Sequence, residues 1–449
     1  MAYDSGRSAN NHIIYLRIMY YQNVLPITKP LLFIGRLVNR KLKQSLYSRA
    51  DNARWIKNEI VQMGSAYIKM GQLVASRSDI FEKEYIQELQ DLHDNVDPIN
   101  FDTIYPMLVN AYDTPNDIFS IIHETPIATA SVGQVHKGTL RYNNNEVAIK
   151  IRKPNVIEDF TNDFDVMIMI MEFIKKCYPN SRKVQDLYEM IKMCSRNILK
   201  ELDFNNERHN IKIMCETFAY ESSIYIPRVY THLSNESILV MEFIDCSTIH
   251  RIRDVNISNQ LMRVMIMKGI NNGYIHGDLH RGNIGLQLNE YGEYRFILFD
   301  FGLILKLDKR IIHQLLYALS FNDVDIIVKV LLHENVIITI DDDYDNSVLQ
   351  LRKIAVYVKE YLQHLDIMRL IDDIKSDPYI DIQMVKFRLN ENYFLISRTL
   401  TLLEGTCKGL SDDFSYVNTM IQGILDININ MNMLIDKVKF DFEHLTQTK

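Results

Sequence analysis

The run His276-Gly277-Asp278-Leu279-His280-Arg281-Gly282-Asn283 constrains this chain more than any other feature. Seventeen residues after Asn283 comes Asp300-Phe301-Gly302. An aspartate, an amide five positions on and a second aspartate downstream are what phosphoryl transfer needs. One short loop must offer a proton acceptor and a metal-holding oxygen to the same γ-phosphate. Asp278 stands where such a loop accepts a hydroxyl proton or orients a nucleophile, and Asn283 and Asp300 stand where magnesium is held. A lone His-Gly-Asp would be an ordinary polar turn. Phe296-Ile297-Leu298-Phe299 reads as a strand running into Asp300, the context that a metal-binding Asp-Phe-Gly requires.

The upstream half carries nucleotide-binding parts in matching order. Val147-Ala148-Ile149-Lys150 fits the kinase strand whose lysine contacts the phosphates, although alone it would read as a surface strand. Ala128-Thr129-Ala130-Ser131-Val132-Gly133-Gln134-Val135 fits the kinase phosphate-loop template, with alanine at the first two glycine positions and Gly133 and Val135 kept. Gln134 to Leu140 and Glu146 to Ile151 read as strands, with Tyr142-Asn143-Asn144-Asn145 as the turn between them. Glycine would let the loop backbone approach phosphate and reach positive φ cheaply. Alanine narrows that freedom. The loop, read as short and exposed, would cradle phosphate in a different geometry through Ala128, Thr129, Ala130, Ser131, Gly133 and Val135. Val240-Met241-Glu242-Phe243-Ile244 looks like the hinge strand, which puts Glu242 beside the adenine.

With these motifs the sequence resembles the UbiB family of atypical kinases, whose eukaryotic members are linked to ubiquinone biosynthesis. Four features carry the resemblance: the Ala-rich loop running from Pro126 to His136, Lys69-Met70-Gly71-Gln72 as a KxGQ motif followed by Ser76-Arg77-Ser78-Asp79, Glu201-Leu202-Asp203 as an ExD motif, and the His276–Asn283 run itself. The resemblance covers roughly residues 55 to 310, plus Leu403-Glu404-Gly405-Thr406. Arg281 departs from it, where the family usually has proline, as do Glu82-Lys83. It implies a bilobal, protein-kinase-like α+β fold with an N-terminal helical extension and a mostly helical C-lobe. It also implies ATP and magnesium as cofactors, and a setting in lipid or quinone metabolism at a membrane. Lys150 would hold the phosphates.

The KxGQ segment also has its own physics. Ile56, Ile60, Met63, Tyr67, Met70 and Val74 recur at spacings of three and four, which predicts one amphipathic helix with a single buried stripe. Lys69 and Gln72 are three apart and share a face beside it. By periodicity alone that is a solvated polar face. The resemblance implies that the helix folds over the active site and aims both residues at the nucleotide. Asp163 to Tyr178 and Lys183 to Lys200 read as helices, a helical insertion in the N-lobe. Glu201, Asp203 and Glu207, read as lying on one helix, are the candidate partners for Lys150. Glu207 is favoured, leaving Glu201 and Asp203 to face Lys69 or a metal ion. Three solvated acids are the plainer alternative. The resulting division is 1–50 basic segment, 51–115 KxGQ extension, 116–245 N-lobe and 246–449 C-lobe.

Composition bears on the compartment and partners. A formal net charge of −7 argues against a nucleic-acid partner. The 5 cysteines are scattered, match no metal spacing and suit a reducing, intracellular compartment, cytoplasmic or mitochondrial. No apolar run approaches a membrane span. Ser5 to Ala50 holds eight Lys or Arg and no acid. Leu31 to Leu46 therefore reads as a basic amphipathic helix for a membrane surface, as part of a transit peptide, or as a helix packed on the core. A lipid, a quinone precursor, a protein partner and a second copy all stay compatible. Helices are expected at 311–320, 323–333, 347–370 and 390–408, with Asp341 to Asp343 in a loop and a last helix in 426–449. Two other function classes stay open. A small-molecule kinase of the aminoglycoside or choline type shares the His-Gly-Asp pattern but should lack KxGQ and the Ala-rich loop. A non-catalytic scaffold should have a broken site.

Overall fold

Gly64 divides the helical extension in two. Its backbone sits at φ +118° and ψ −175°, a region that only glycine visits without strain. The structure is a computed structural model. It describes residues 25–42, 47–75, 81–90, 92, 98–249, 254–288, 293–320, 324–339, 345, 348–356, 387–416 and 419. The single amphipathic helix expected through Ile56 and Val74 is instead α2 (Arg49–Met63) followed by α3 (Ser65–Val74), with α1 (Leu25–Leu42) before them and α4 (Lys83–Gln90) after. A capping box starts α2: the Ser48 hydroxyl accepts from the Asp51 amide, and the Asp51 carboxylate accepts from the Ser48 amide. Basic α1 lies on α2. Arg36 Nη1 donates to both Glu59 oxygens at 2.7 and 2.8 Å, and Phe33 stacks on Trp55. Leu31 and Leu32 stay exposed. Among the described residues no helix is long and apolar enough to cross a membrane.

The chain divides into two compact units, one from residues up to Asn206 with Arg228–Phe243, the other from Glu207–Pro227 with Ile244 onward. They interleave, where the sequence suggests a single cut after residue 245.

In the first unit, α5 (Phe101–Tyr112) precedes β1 (Phe119–Ile122), β2 (Ala128–Thr129), β3 (Gly133–Leu140) and β4 (Glu146–Arg152). Next come α6 (Val156–Cys177) and α7 (Arg182–Glu201), and then, after α8 (Phe204–Thr217) and β5 (Ile224–Tyr225), which belong to the second unit from Glu207 on, β6 (Ile238–Glu242). The antiparallel sheet runs β1-β3-β4-β6, with β2 paired to β3. Asn144, at φ +58°, closes the β3–β4 turn, a conformation that asparagine tolerates well. Leu140, Ile149, Ile151 and Ile238 are fully buried in the core under α5, each contributing roughly 1.5–3 kcal/mol of burial. Helices α6 and α7 pack on each other and on α3, so the helical insertion is present.

In the second unit, β5 pairs in parallel with β10 (Tyr294–Leu298), which pairs antiparallel with β9 (Ile284–Leu288), which pairs with β7 (Ser247–Thr248). Helix α9 (Val255–Asn272) precedes β8 (Tyr274–His276), whose partner is β11 (Ile304–Lys306). Helices α10 (Lys309–Ser320) and α11 (Val324–His333) follow. The expected run of helices is interrupted by β12 (Ile337–Thr339), paired with β13 (Phe387–Leu389) before α12 (Glu391–Leu410). Val336, Ile337, Ile338 and Thr339 are β-branched, which favours a strand. Their partner lies 50 residues away, beyond local pattern reading. Residues 76–80, 341–343, 357–370 and 426–449 lie outside the described residues.

Candidate functional site

The loop from His276 to Asn283 is built on a buried histidine. His276 ends β8 with no exposed surface. Its Nε2–H donates to the Phe299 carbonyl at 3.2 Å, which leaves Nδ1 to accept from the Asp278 amide at 3.1 Å. Its ring lies 5.1 Å from that of Phe301. Burial pushes the imidazole below its ordinary pKa, against the opposing pull of Asp278. A neutral ring is what this pairing requires, since a protonated one could not accept. Asn283 is buried too. Its side-chain amide donates to the Asp278 carbonyl at 3.1 Å, and its own carbonyl accepts from the Phe299 amide at 2.9 Å. The loop carrying Asp278 is therefore tied twice to the strand that delivers Asp300.

Asp300 has φ +54°. Left-handed backbone is uncommon outside glycine and concentrates at functional positions. Its Oδ1 accepts from the Gly302 amide at 3.2 Å. Two side chains of α8, one turn apart, hold the segment. Glu207, 2% exposed, accepts from the Phe301 amide at 3.3 Å, and Asn210 donates to the Phe301 carbonyl at 2.8 Å. Glu201, Asp203 and Glu207 do not share a helix as expected. Glu201 ends α7, Glu207 lies on α8, and Asp203 sits between them. The chain breaks there because the Asp203 carboxylate caps α8, accepting from the Asn205 amide at 2.9 Å.

In the first unit, β2 and β3 form a tight hairpin. Ala128 pairs with Val135 and Thr129 with Gln134, and the Ala130 amide donates to the Gly133 carbonyl at 2.8 Å. Contrary to the expected exposed loop, Ser131, Val132 and Gly133 are buried. A Cβ at Gly133 would stand 2.7 Å from the Ile151 carbonyl oxygen, so this glycine serves close strand packing. Val135 faces Lys150 in register. Lys150 is buried rather than on a surface strand, with Nζ 5.2 Å from the centre of the Phe204 ring. Glu242, at the end of β6, donates its amide to the Arg228 carbonyl at 2.8 Å and accepts the Arg228 amide on its side chain at 3.3 Å.

Lys69 and Gln72 are both half-buried on α3. Gln72 donates to the Leu92 carbonyl at 2.9 Å. Because α3 packs on α7, the helix bearing Lys69 adjoins the one ending in Glu201.

Two observations, one in each unit, fit a magnesium nucleotide. The Ser131 hydroxyl is buried with no hydrogen-bond partner among the described residues, and a buried hydroxyl in that state needs an acceptor or donor. Asn283 has committed its amide nitrogen, so the oxygen is the atom left for a cation. An amide oxygen suits magnesium, which takes one or two protein oxygens and completes its shell with phosphate and water.

Sequence reasoning assigned no role to His276 itself, to Asn210, or to the side chains of α12 that reach the loop. His276 stood within the motif, and its apolar neighbours Tyr274 and Ile275 were the signal for its burial.

The pattern of the ABC1 atypical kinase-like domain matches residues 91–331. The chain is 25% identical over 412 residues to the chloroplastic protein ACTIVITY OF BC1 COMPLEX KINASE 7 of Arabidopsis thaliana, covering 88% of this chain and 57% of that protein. It is 27% identical over 289 residues to a probable protein kinase UbiB of Blochmanniella pennsylvanica, covering 62% of this chain and 51% of that protein. It thus spans about half the length of these relatives. Rv3197 of Mycobacterium tuberculosis, solved in complex with erythromycin, shares the fold with a TM-score of 0.53 at 19% identity, over 85% of this chain and 97% of that one.

Proposed function

Starting from a chain that belongs to the ABC1 atypical kinase-like family, we propose that it binds ATP with magnesium and hydrolyses it or transfers its γ-phosphate. The observation that carries this reading is the hydrogen-bonded lock of the catalytic loop. His276 and Asn283 hold the main chain on both sides of the Asp278 carboxylate and join it to the Phe299–Asp300 segment. Preorganisation of this kind is what phosphoryl transfer demands, because positioning and charge stabilisation do nearly all the work.

The nucleotide would supply the phosphoryl group, with magnesium spreading its negative charge. Asn283 and Asp300 would hold the metal. Asp278 would accept or orient the proton of the attacking hydroxyl or water. Lys150 would hold the phosphates, oriented by Glu207. The hairpin amides around Ala128, Thr129 and Ala130, with the Ser131 hydroxyl, would cradle them. The β6 end at Glu242 would take the adenine. Lys69, Gln72, Glu201 and Asp203 would form a restraint that keeps protein substrates out. The setting proposed, from the resemblance of the motifs to the UbiB family, is lipid or quinone metabolism at a membrane.

The test is calorimetry with turnover. Asp300→Asn removes a charged oxygen from magnesium and should abolish magnesium-dependent ATP binding. Asp278→Asn should leave binding intact and lower turnover on the order of a hundredfold or more. Unchanged Mg-ATP affinity in the first variant, or full turnover in the second, refutes the assignment.

A further inference from the structure

Helix α12 grips the catalytic loop along its length. The Thr399 hydroxyl donates to the Gly277 carbonyl at 2.9 Å and the Thr406 hydroxyl to the Leu279 carbonyl at 3.0 Å. From the loop side, Arg281 donates to the Gly405 carbonyl at 3.3 Å. These three contacts engage only main-chain carbonyls. One further contact from the same helix differs in kind. Arg398 Nη2 lies 3.4 Å from Asp278 Oδ1, with the two side chains 19% and 29% exposed. It reaches the reactive carboxylate itself, across 120 residues of sequence. The other oxygen, Oδ2, faces His280 Nε2 at 3.7 Å.

We propose that Arg398 is a positioning residue for phosphoryl transfer, holding one oxygen of Asp278 so that the other is presented to the acceptor hydroxyl or water. The inference rests on the role given to Asp278 above. A carboxylate carried on two rotatable bonds can sweep a wide arc, and a catalytic group displaced by 1 Å can lose about a hundredfold in rate. A guanidinium is suited to this task because it is planar, permanently charged and presents donors in a fixed fork. With both groups largely shielded, the pair is screened less than a surface ion pair.

The experiment compares Arg398→Ala, Arg398→Gln and Arg398→Lys with wild type in Mg-ATP turnover and in Mg-ATP binding by calorimetry. The neutral variants should lower kcat about 10- to 100-fold while Mg-ATP affinity stays within about threefold. Lysine, which keeps the charge but not the planar fork, should recover part of the rate. In an Asp278→Asn background, Arg398→Gln should cost nothing further, since the group it positions is gone. Full turnover in the neutral variants overturns the proposal. So does a multiplicative loss in the double variant, or a fall in binding in step with kcat that lysine does not repair. Arg398→Gln keeps the test valid if Arg398→Ala does not fold. A wild type that neither binds nor turns over Mg-ATP removes the reading of Asp278 and this role with it. A working wild type with unimpaired Arg398 variants removes only the role of Arg398.

Discussion

Replacing His276 with phenylalanine tests the catalytic loop through its stability. Phenylalanine keeps a flat ring beside Phe301 but can neither donate nor accept. The Phe299 carbonyl and the Asp278 amide would each lose a buried partner. An unsatisfied buried group costs about 1–3 kcal/mol, and partial hydration of the loop argues for the lower half, so the variant should lose about 2–4 kcal/mol at pH 7.5. Acid adds a second signature. Burial holds the folded-state pKa of His276 below its ordinary value of 6.5. Below that pH the unfolded chain takes up a proton that the folded chain refuses, so the stability contributed by neutral His276 falls as pH drops. One proton corresponds to at most about 1.4 kcal/mol per pH unit. The gap between wild type and His276→Phe should therefore narrow from pH 6.5 toward 5. His136, also buried and also held low by burial, is present in both proteins and cancels. Urea unfolding should be followed by far-ultraviolet circular dichroism, because the single tryptophan, Trp55, lies in the other unit. A gap under about 0.5 kcal/mol at pH 7.5, or one that stays constant into acid, refutes the reasoning.

Three further outcomes are expected. Gly133→Ala forces a Cβ to within 2.7 Å of the Ile151 carbonyl and should cost about 1–3 kcal/mol in thermal melting; an unchanged melt would show that the strands yield freely. Ala128→Gly and Ala130→Gly should shift stability by less than about 1 kcal/mol while altering ATP or ADP affinity, and if neither affinity nor rate moves, the hairpin does not contact phosphate. Wild type given labelled ATP should leave generic peptides unmodified, and Lys69→Ala should raise autophosphorylation, a result countered by robust peptide phosphorylation in the wild type.

Much of this fold was legible because its signals are local. Alternating apolar residues marked β3 and β4, Asn-rich sequence marked their turn, and Phe296 to Phe299 marked the strand into Asp300. The interior of each long helix was legible from its period. What the sequence hid were features decided by a single backbone angle or by distant partners. Gly64 lies within an unbroken apolar rhythm, and only its φ of +118° reveals the break between α2 and α3. Asp203 reads as one more acid on a helix until it is seen capping α8. The pairing of β12 with β13 depends on residues 50 positions apart. The site divides in the same way. Asp278, Asn283 and Asp300 were legible from spacing. His276 as a hinge of hydrogen bonds, Asn210 on the Phe301 carbonyl and Arg398 beside Asp278 were not, because each acts across the fold.

The two alanines of the β2–β3 hairpin have a physical account. Glycine is needed in such a loop where φ turns positive or where another atom comes too close for a Cβ. Among the described residues, neither Ala128 nor Ala130 has a positive φ, and nor does Gly133. Ala128 is an ordinary strand residue opposite Val135, and Ala130 is fixed by its amide on the Gly133 carbonyl. The alanines therefore carry no backbone strain, and the only position that demands glycine does so because Ile151 lies against it. An alanine has fewer backbone states to lose than a glycine, so the hairpin holds its shape before any ligand arrives. The consequence is an exchange of adaptability for preorganisation. A loop of glycines can follow the phosphates as they change between substrate and product. In the proposed role this one would present a fixed set of amides and one buried hydroxyl at Ser131. It should favour a single phosphate geometry, and restoring glycine at 128 and 130 should loosen that preference without loosening the fold.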